Sequence, residues 1–156
     1  MKRAVKQSSK PKSFKKPLAV VVSDFNETVT NGLLSGAMKA LGESGVALKK
    51  VRVFRVAGAF ELPLVAKKIA QSKKYAGVVA LGCVIRGDTP HFEFVSLAAT
   101  MGCLQAQMDT GIPVAFGVIT VNTSEQATER SSDDQFNKGQ EAVVALLSSI
   151  AAIESI

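Results

Sequence analysis

Four apolar runs of strand length punctuate the chain: Leu18–Ser23, Val51–Val56, Gly77–Ile85 and Pro113–Val121. Runs without regular polar alternation suit a parallel sheet covered on both faces. Between and after them, apolar residues recur at helical spacing. Val29, Leu33, Ala37 and Leu41 form one such series, Phe60, Leu64, Val65 and Ile69 a second, and Ala142, Val143, Leu146, Leu147 and Ile150 a last. Gly42 and Gly45 are placed to close the first helix, and Thr89 followed by Pro90 reads as the cap and first position of another. Strand and helix in repeated alternation predict an α/β sandwich built on a four-stranded parallel sheet with right-handed crossovers.

The helix expected from Pro90 to Thr110 breaks the amphipathic rule. Phe92, Phe94, Val95, Leu97, Ala98, Ala99, Met101, Cys103, Leu104 and Met108 cover nearly its whole circumference. A helix apolar all round must be buried all round, and a small three-layer domain covers only one side of an outer helix. The second cover is expected to be another subunit.

At 156 residues the chain is long enough for one cooperative core, and its 47% hydrophobic and 21% charged residues exclude collagen-like, mucin-like and wholly disordered classes. The longest apolar-rich stretch, Phe94 to Met108, is too short and too polar to span a bilayer. The formal charge of +6 changes meaning when divided by position. Residues 1–17 hold seven basic residues and no acid, leaving 12 basic against 13 acidic residues in 18–156. The chain therefore divides into a basic, disordered arm (1–17) and a nearly neutral domain (18–156), and a nucleic-acid partner is not expected. The arm lacks the apolar segment of a secretion signal and carries lysine where transit peptides usually have arginine. Cys83 and Cys103 read as small buried hydrophobes in a reducing compartment. With a single histidine they give too few ligands for zinc, so no metal is expected.

Ligands of open parallel α/β sheets bind beyond the carboxyl ends of the strands. In this chain those ends carry Asp24-Phe25-Asn26-Glu27, Ala57-Gly58-Ala59-Phe60-Glu61, Arg86-Gly87-Asp88-Thr89-Pro90-His91 and the segment from Asn122 to Arg130. The phosphate loop of nucleoside triphosphatases, the dinucleotide fingerprint and the common zinc-protease and serine-hydrolase motifs are all missing. What remains is Gly87-Asp-Thr-Pro-His91 at a helix start, where backbone N–H groups and the helix dipole favour an anion and an imidazole suits proton relay.

Phe25-Asn26, Gly58-Ala-Phe-Glu61-x-Pro63, Gly82-x-Val-Ile-Arg-Gly87-x-Thr89-x-His91-Phe92, Phe116-Gly117-x-x-Thr120, Glu125-Gln126-Ala127-x-x-Arg130 and Asn137-Lys138-Gly139 together resemble the lumazine synthase family of riboflavin synthesis. The match runs in order from about residue 18 to 150, departing from the usual pattern at Cys83 and Asp88. The resemblance implies a flavodoxin-like, three-layer sandwich in the cytoplasm. It also implies condensation of 5-amino-6-(D-ribitylamino)uracil with 3,4-dihydroxy-2-butanone 4-phosphate, without metal or organic cofactor. By position it sets Phe25 against the pyrimidine ring, with the backbone of Asn26, Cys83, Val84 and Ile85 at the ring's polar edge. Gly58, Ala59, Phe60 and Glu61 fall along the ribityl chain, Gly87, Asp88, Thr89 and Arg130 at the phosphate, and His91 at the proton transfers. Lys138 supplies further positive charge, with Phe116, Arg130 and Lys138 arriving from an adjacent copy. The implied partners are copies of the same chain, as a pentamer or a shell of sixty, and a riboflavin synthase. The short Arg130–Gly139 segment leans toward the shell. A flavin- or pterin-binding module without catalysis competes with this reading, but it has no need for His91, Arg130 and Lys138 together.

Overall fold

The structure, a computed structural model, describes residues 15–156, so most of the basic arm lies outside the described residues. Strands β1 (Leu18–Ser23), β2 (Val51–Val56), β3 (Gly77–Ile85) and β4 (Val114–Val121) form one parallel sheet in the order β2-β1-β3-β4. The helices are α1 (Glu27–Glu43), α2 (Leu62–Gln71), α3 (His91–Thr110), α4 (Ser124–Ser131) and α5 (Lys138–Glu154). This is the expected three-layer, flavodoxin-like α/β sandwich.

The two-residue period of a strand explains the layering. Leu18, Val20 and Val22 of β1 enter one core with Leu33, Ala37 and Leu41 of α1 and Val143, Leu146 and Leu147 of α5. Ala19 and Val21 point the other way, into a core with Leu62, Ala66 and Ile69 of α2 and Ala99, Cys103 and Ala106 of α3. Every residue of the central strand β1 is buried. β2 is not covered on both faces as its apolar run suggests. It is an edge strand, and its Arg52, Val53 and Arg55 are exposed.

Gly45, at φ +85°, ends the turn after α1, a conformation that costs other residues strain. The α1–α5 crossing is tight enough that a Cβ on Gly139 would lie 1.9 Å from the Leu33 carbonyl oxygen.

Two helices differ from their expected faces. α2 starts at Leu62, after a 3-10 turn over Ala59–Glu61, and it buries Leu62, Ala66, Ile69 and Ala70 while Phe60 and Leu64 are exposed. Phe60 precedes the helix, so a stripe drawn through it is rotated off the true one. α3 buries only the narrow stripe of Ala99, Cys103 and Ala106. Phe94, Leu97, Met101, Leu104 and Met108 stand exposed, Phe94 at 70% and Met108 at 72%. Their alternating spacing of three and four gathers them into one seam along the helix.

Candidate active site

Backbone bonds carry the β1–β2 ladder past the sheet: the N–H of Asp24 donates to Val56 at 2.8 Å and that of Phe25 to Ala57 at 2.9 Å. Asn26 follows in the left-handed region, at φ 59°, and its Nδ2 donates to the Cys83 carbonyl at 3.0 Å. This clip ties the loop after β1 to the end of β3. Between two such anchors the Phe25 ring projects outward, 70% exposed, with a face free for another ring. Asp24 accepts from Arg55 at 2.8 Å, so that carboxylate is already engaged.

Beyond β2, Gly58 is extended, Ala59 is buried, and Phe60 and Glu61 are exposed. A Cβ on Gly58 would come within 3.1 Å of the Glu61 carboxylate, which therefore folds back over the glycine. At the end of β3, Cys83 is buried, Val84 and Ile85 are half-buried, and Gly87, Asp88 and Thr89 are exposed. Burial pushes the Cys83 thiol up to about 11, and that of Cys103 likewise, because a thiolate is disfavoured away from water.

The start of α3 differs from the expected cap. Pro90, not Thr89, occupies the capping position, without a side-chain bond, and His91 is the first helical residue and exposed. A proline there leaves the first turn without a capping side chain, and the Glu93 N–H bonds the Pro90 carbonyl at 3.0 Å. Arg86 steadies this corner, a role that was not read from the sequence. Its Nε donates to Asn122 Oδ1 at 3.0 Å, an Nη bonds the Glu93 carboxylate, and the guanidinium lies 4.3 Å from the Phe92 ring centroid. The hydrogen bond from Arg86 holds the Glu93 carboxyl below the usual range. Arg86 thus joins the ends of β3 and β4 to the first turn of α3.

The remaining predicted residues gather elsewhere. Phe116, Arg130 and Lys138 line a cavity of about 370 Å³ between the edge strand β4 and α5. Arg130 closes α4, its Nη1 donating to the Gln126 carbonyl at 3.0 Å and standing 3.7 Å from Glu129. Lys138 opens α5 and donates to both oxygens of Glu141, at 2.8 and 2.7 Å. Glu141, unread in the sequence, also lines the cavity; its spacing of three from Lys138 is the available signal. The loop between Arg130 and Lys138 is shaped by Asn137, which is wholly buried. Its Nδ2 shares its two hydrogens among the carbonyls of Gly32, Ser131 and Ser132, at 3.1, 3.0 and 2.9 Å. Its Oδ1 accepts from the N–H groups of Gly139 and Gln140 and so caps α5.

One chain therefore carries two separate clusters. The first, at the ends of β1, β2 and β3, offers an aromatic face, a carboxylate, the exposed Gly87–Thr89 loop and an imidazole. The second, beside β4, offers an aromatic ring and two cations, and none of the first group lines its cavity. Among the described residues no helix is long and apolar enough to cross a membrane.

A family model described as 6,7-dimethyl-8-ribityllumazine synthase matches residues 15–154. The chain is 49% identical over 139 residues to 6,7-dimethyl-8-ribityllumazine synthase 1 of Caulobacter vibrioides, covering 89% of this chain and 91% of that protein. It is 47% identical over 137 residues to the 6,7-dimethyl-8-ribityllumazine synthase of Syntrophus aciditrophicus, covering 88% and 89%. The chain belongs to the 6,7-dimethyl-8-ribityllumazine synthase family.

Proposed function

We propose that the protein condenses 5-amino-6-(D-ribitylamino)uracil with 3,4-dihydroxy-2-butanone 4-phosphate to give 6,7-dimethyl-8-ribityllumazine, releasing phosphate and water, in riboflavin synthesis. The family match over residues 15–154 carries this reading. In it the Phe25 ring is the platform for the pyrimidine, whose polar edge meets backbone around Asn26, Cys83, Val84 and Ile85. Gly58, Ala59 and Phe60 flank the ribityl chain, and Glu61 accepts its hydroxyl hydrogen bonds. Gly87, Asp88 and Thr89, with the first turn of α3, hold the phosphate from one side, and Arg130 holds it from the other with its planar fork. The amine attacks the butanone carbonyl and water leaves as the imine forms. Phosphate then departs, the resulting enol becomes a ketone, and the ribitylamino nitrogen attacks that carbonyl to close the ring with loss of a second water. His91 moves the protons of these steps, and Lys138 adds positive charge. Much of the acceleration comes from holding two reactants in attack geometry, since the amine is already a competent nucleophile.

The complete site forms between two copies, Phe25 and His91 from one and Phe116, Arg130 and Lys138 from the next. Two observations support this: the two clusters do not share a cavity within one chain, and the exposed seam of α3 lacks a cover. Copies closing into a ring, as a pentamer or as pentamers built into a shell, supply both. The test is a single-turnover reaction of the purified protein with both substrates, followed by lumazine absorbance. Product formed no faster than in buffer alone would refute the proposal.

A further inference from the structure

In the proposed function the two clusters of one chain serve different sites. His91 and the Gly87–Thr89 loop belong to one interface, and Arg130 completes the next. Within the chain the two clusters are nonetheless joined. Arg86 stands between them just past the end of β3, where its backbone N–H donates to the Val121 carbonyl of β4 at 2.9 Å. From its guanidinium, hydrogen bonds run in two directions.

The first branch reaches α3. An Nη donates to the Glu93 carboxylate, and the guanidinium lies over the Phe92 ring. Phe92 and Glu93 directly follow His91 in a turn whose cap has no side-chain bond, so Arg86 supplies the side-chain hold on that turn. The second branch reaches α4. Nε donates to Asn122 Oδ1 at 3.0 Å, the Asn122 N–H donates to Gln126 Oε1 at 2.8 Å, and the Gln126 carbonyl accepts from Arg130 Nη1 at 3.0 Å. Thr123 Oγ1 accepts from the Gln126 N–H at 3.3 Å and caps the helix. Of the eight residues of α4 only Ala127 is buried. Apolar packing therefore fixes this helix weakly, and the polar contacts at its start decide how it sits on the end of β4.

We infer that Arg86 is a positioning residue for two sites at once: through Glu93 it sets the His91 half of one, and through Asn122 and Gln126 the Arg130 half of the next. The inference rests on the shared-site reading above. A guanidinium suits the task because its donors are fixed in one plane, so Nε and an Nη serve partners on two different elements. A lysine ammonium is a single point and could hold only one of them. The contribution of Arg86 is geometric, and a reaction that depends on holding two reactants in attack geometry is sensitive to it.

The test cuts the branches separately in the assembled full-length protein. Glu93→Ala frees the first and Asn122→Ala the second, and both residues are exposed, so neither change empties a core. Each should lower kcat/KM by about tenfold or more. For Asn122→Ala the loss should fall on KM for the butanone phosphate and spare KM for the pyrimidine. Glu93→Gln and Asn122→Asp each keep an acceptor for Arg86 and should restore most of the rate. Subunit mixing then separates positioning from general damage. In equal mixtures, chains defective in opposite halves leave about one quarter of interfaces intact, and chains defective in the same half leave none. Glu93→Ala should regain activity with Arg130→Ala but not with His91→Ala. Asn122→Ala should regain it with His91→Ala but not with Arg130→Ala. Arg86→Ala, cut in both branches, should regain it with neither. His91→Ala mixed with Arg130→Ala is the control, and no recovery there would overturn the shared site and this inference together. Where the control recovers, the inference alone is overturned by a single-branch variant that recovers with both partners or with neither, by recovery of Arg86→Ala with either, or by an unchanged butanone phosphate KM in Asn122→Ala.

Discussion

Asn137→Ala is the perturbation whose cost the structure sets most closely. The side chain is wholly buried: the two Nδ2 hydrogens are shared among three carbonyls, and Oδ1 accepts from the N–H groups of Gly139 and Gln140 in the first turn of α5. Loss of the cap costs about 1 kcal/mol. Each of these half-buried carbonyls left without a donor costs up to about 1–3 kcal/mol, and water entering the vacated space will recover part of that. The expected loss is about 3–5 kcal/mol, a large share of the ~5–15 kcal/mol that holds a typical domain together. Urea denaturation at one fixed protein concentration should show the midpoint falling with the slope unchanged. Asn137→Asp is the sharper control. It keeps an acceptor for Gly139 and Gln140 but turns a carboxylate oxygen toward three carbonyls, so it should be at least as damaging as alanine. The loop that Asn137 shapes also carries Arg130 and Lys138, so weaker use of the butanone phosphate should accompany the lost stability. If Asn137→Ala cost under about 1 kcal/mol, or Asn137→Asp matched the wild type, the assigned network would be wrong.

Arg130→Ala should lower kcat/KM by about 10²–10³-fold through the butanone phosphate, with Arg130→Lys restoring only part; a defect confined to the pyrimidine would refute the phosphate role. Disassembled His91→Ala and Arg130→Ala variants, mixed and reassembled, should regain part of the wild-type rate because some interfaces then carry neither defect. Mixed assemblies no more active than the separate variants would place the site within one chain. With both thiols pushed up to about 11 by burial, the thiolate is scarce at pH 8 and grows only as pH approaches that value. Alkylation of the native protein at pH 8 should be about 100-fold slower than that of an ordinary cysteine, and labelling at the ordinary rate would contradict the burial.

The fold was legible where hydrophobic burial decides it. β1, β2 and β3 have the bounds read from their apolar runs, and β4 begins one residue later, at Val114. α4 escaped notice because only Ala127 of its eight residues is buried, leaving no stripe to read. The edge position of β2 was hidden because sheet order is a tertiary fact that an apolar run cannot carry, although Arg52 and Arg55 hint at it. Of the candidate site, the residue types were readable at the strand ends. Their division into two clusters was not, since Phe116 points from an edge strand whose neighbour is absent from its own chain. Arg86 and Glu141 were missed because each acts through a partner, Glu93 or Lys138, whose proximity only folding creates.

The seam of α3 also has a redox consequence. Two of its members, Met101 and Met108, are thioethers open to solvent in the isolated chain. Oxidation to the sulfoxide turns a flexible apolar side chain into a polar one, which is unsuited to a packed helix contact. Assembly that covers the seam would shield both sulfurs, whereas a subunit left unassembled would lose its competence with time under peroxide. The pool of free subunits would then age while the assembled population does not, and the sulfoxide content of the two fractions would record how long each had waited.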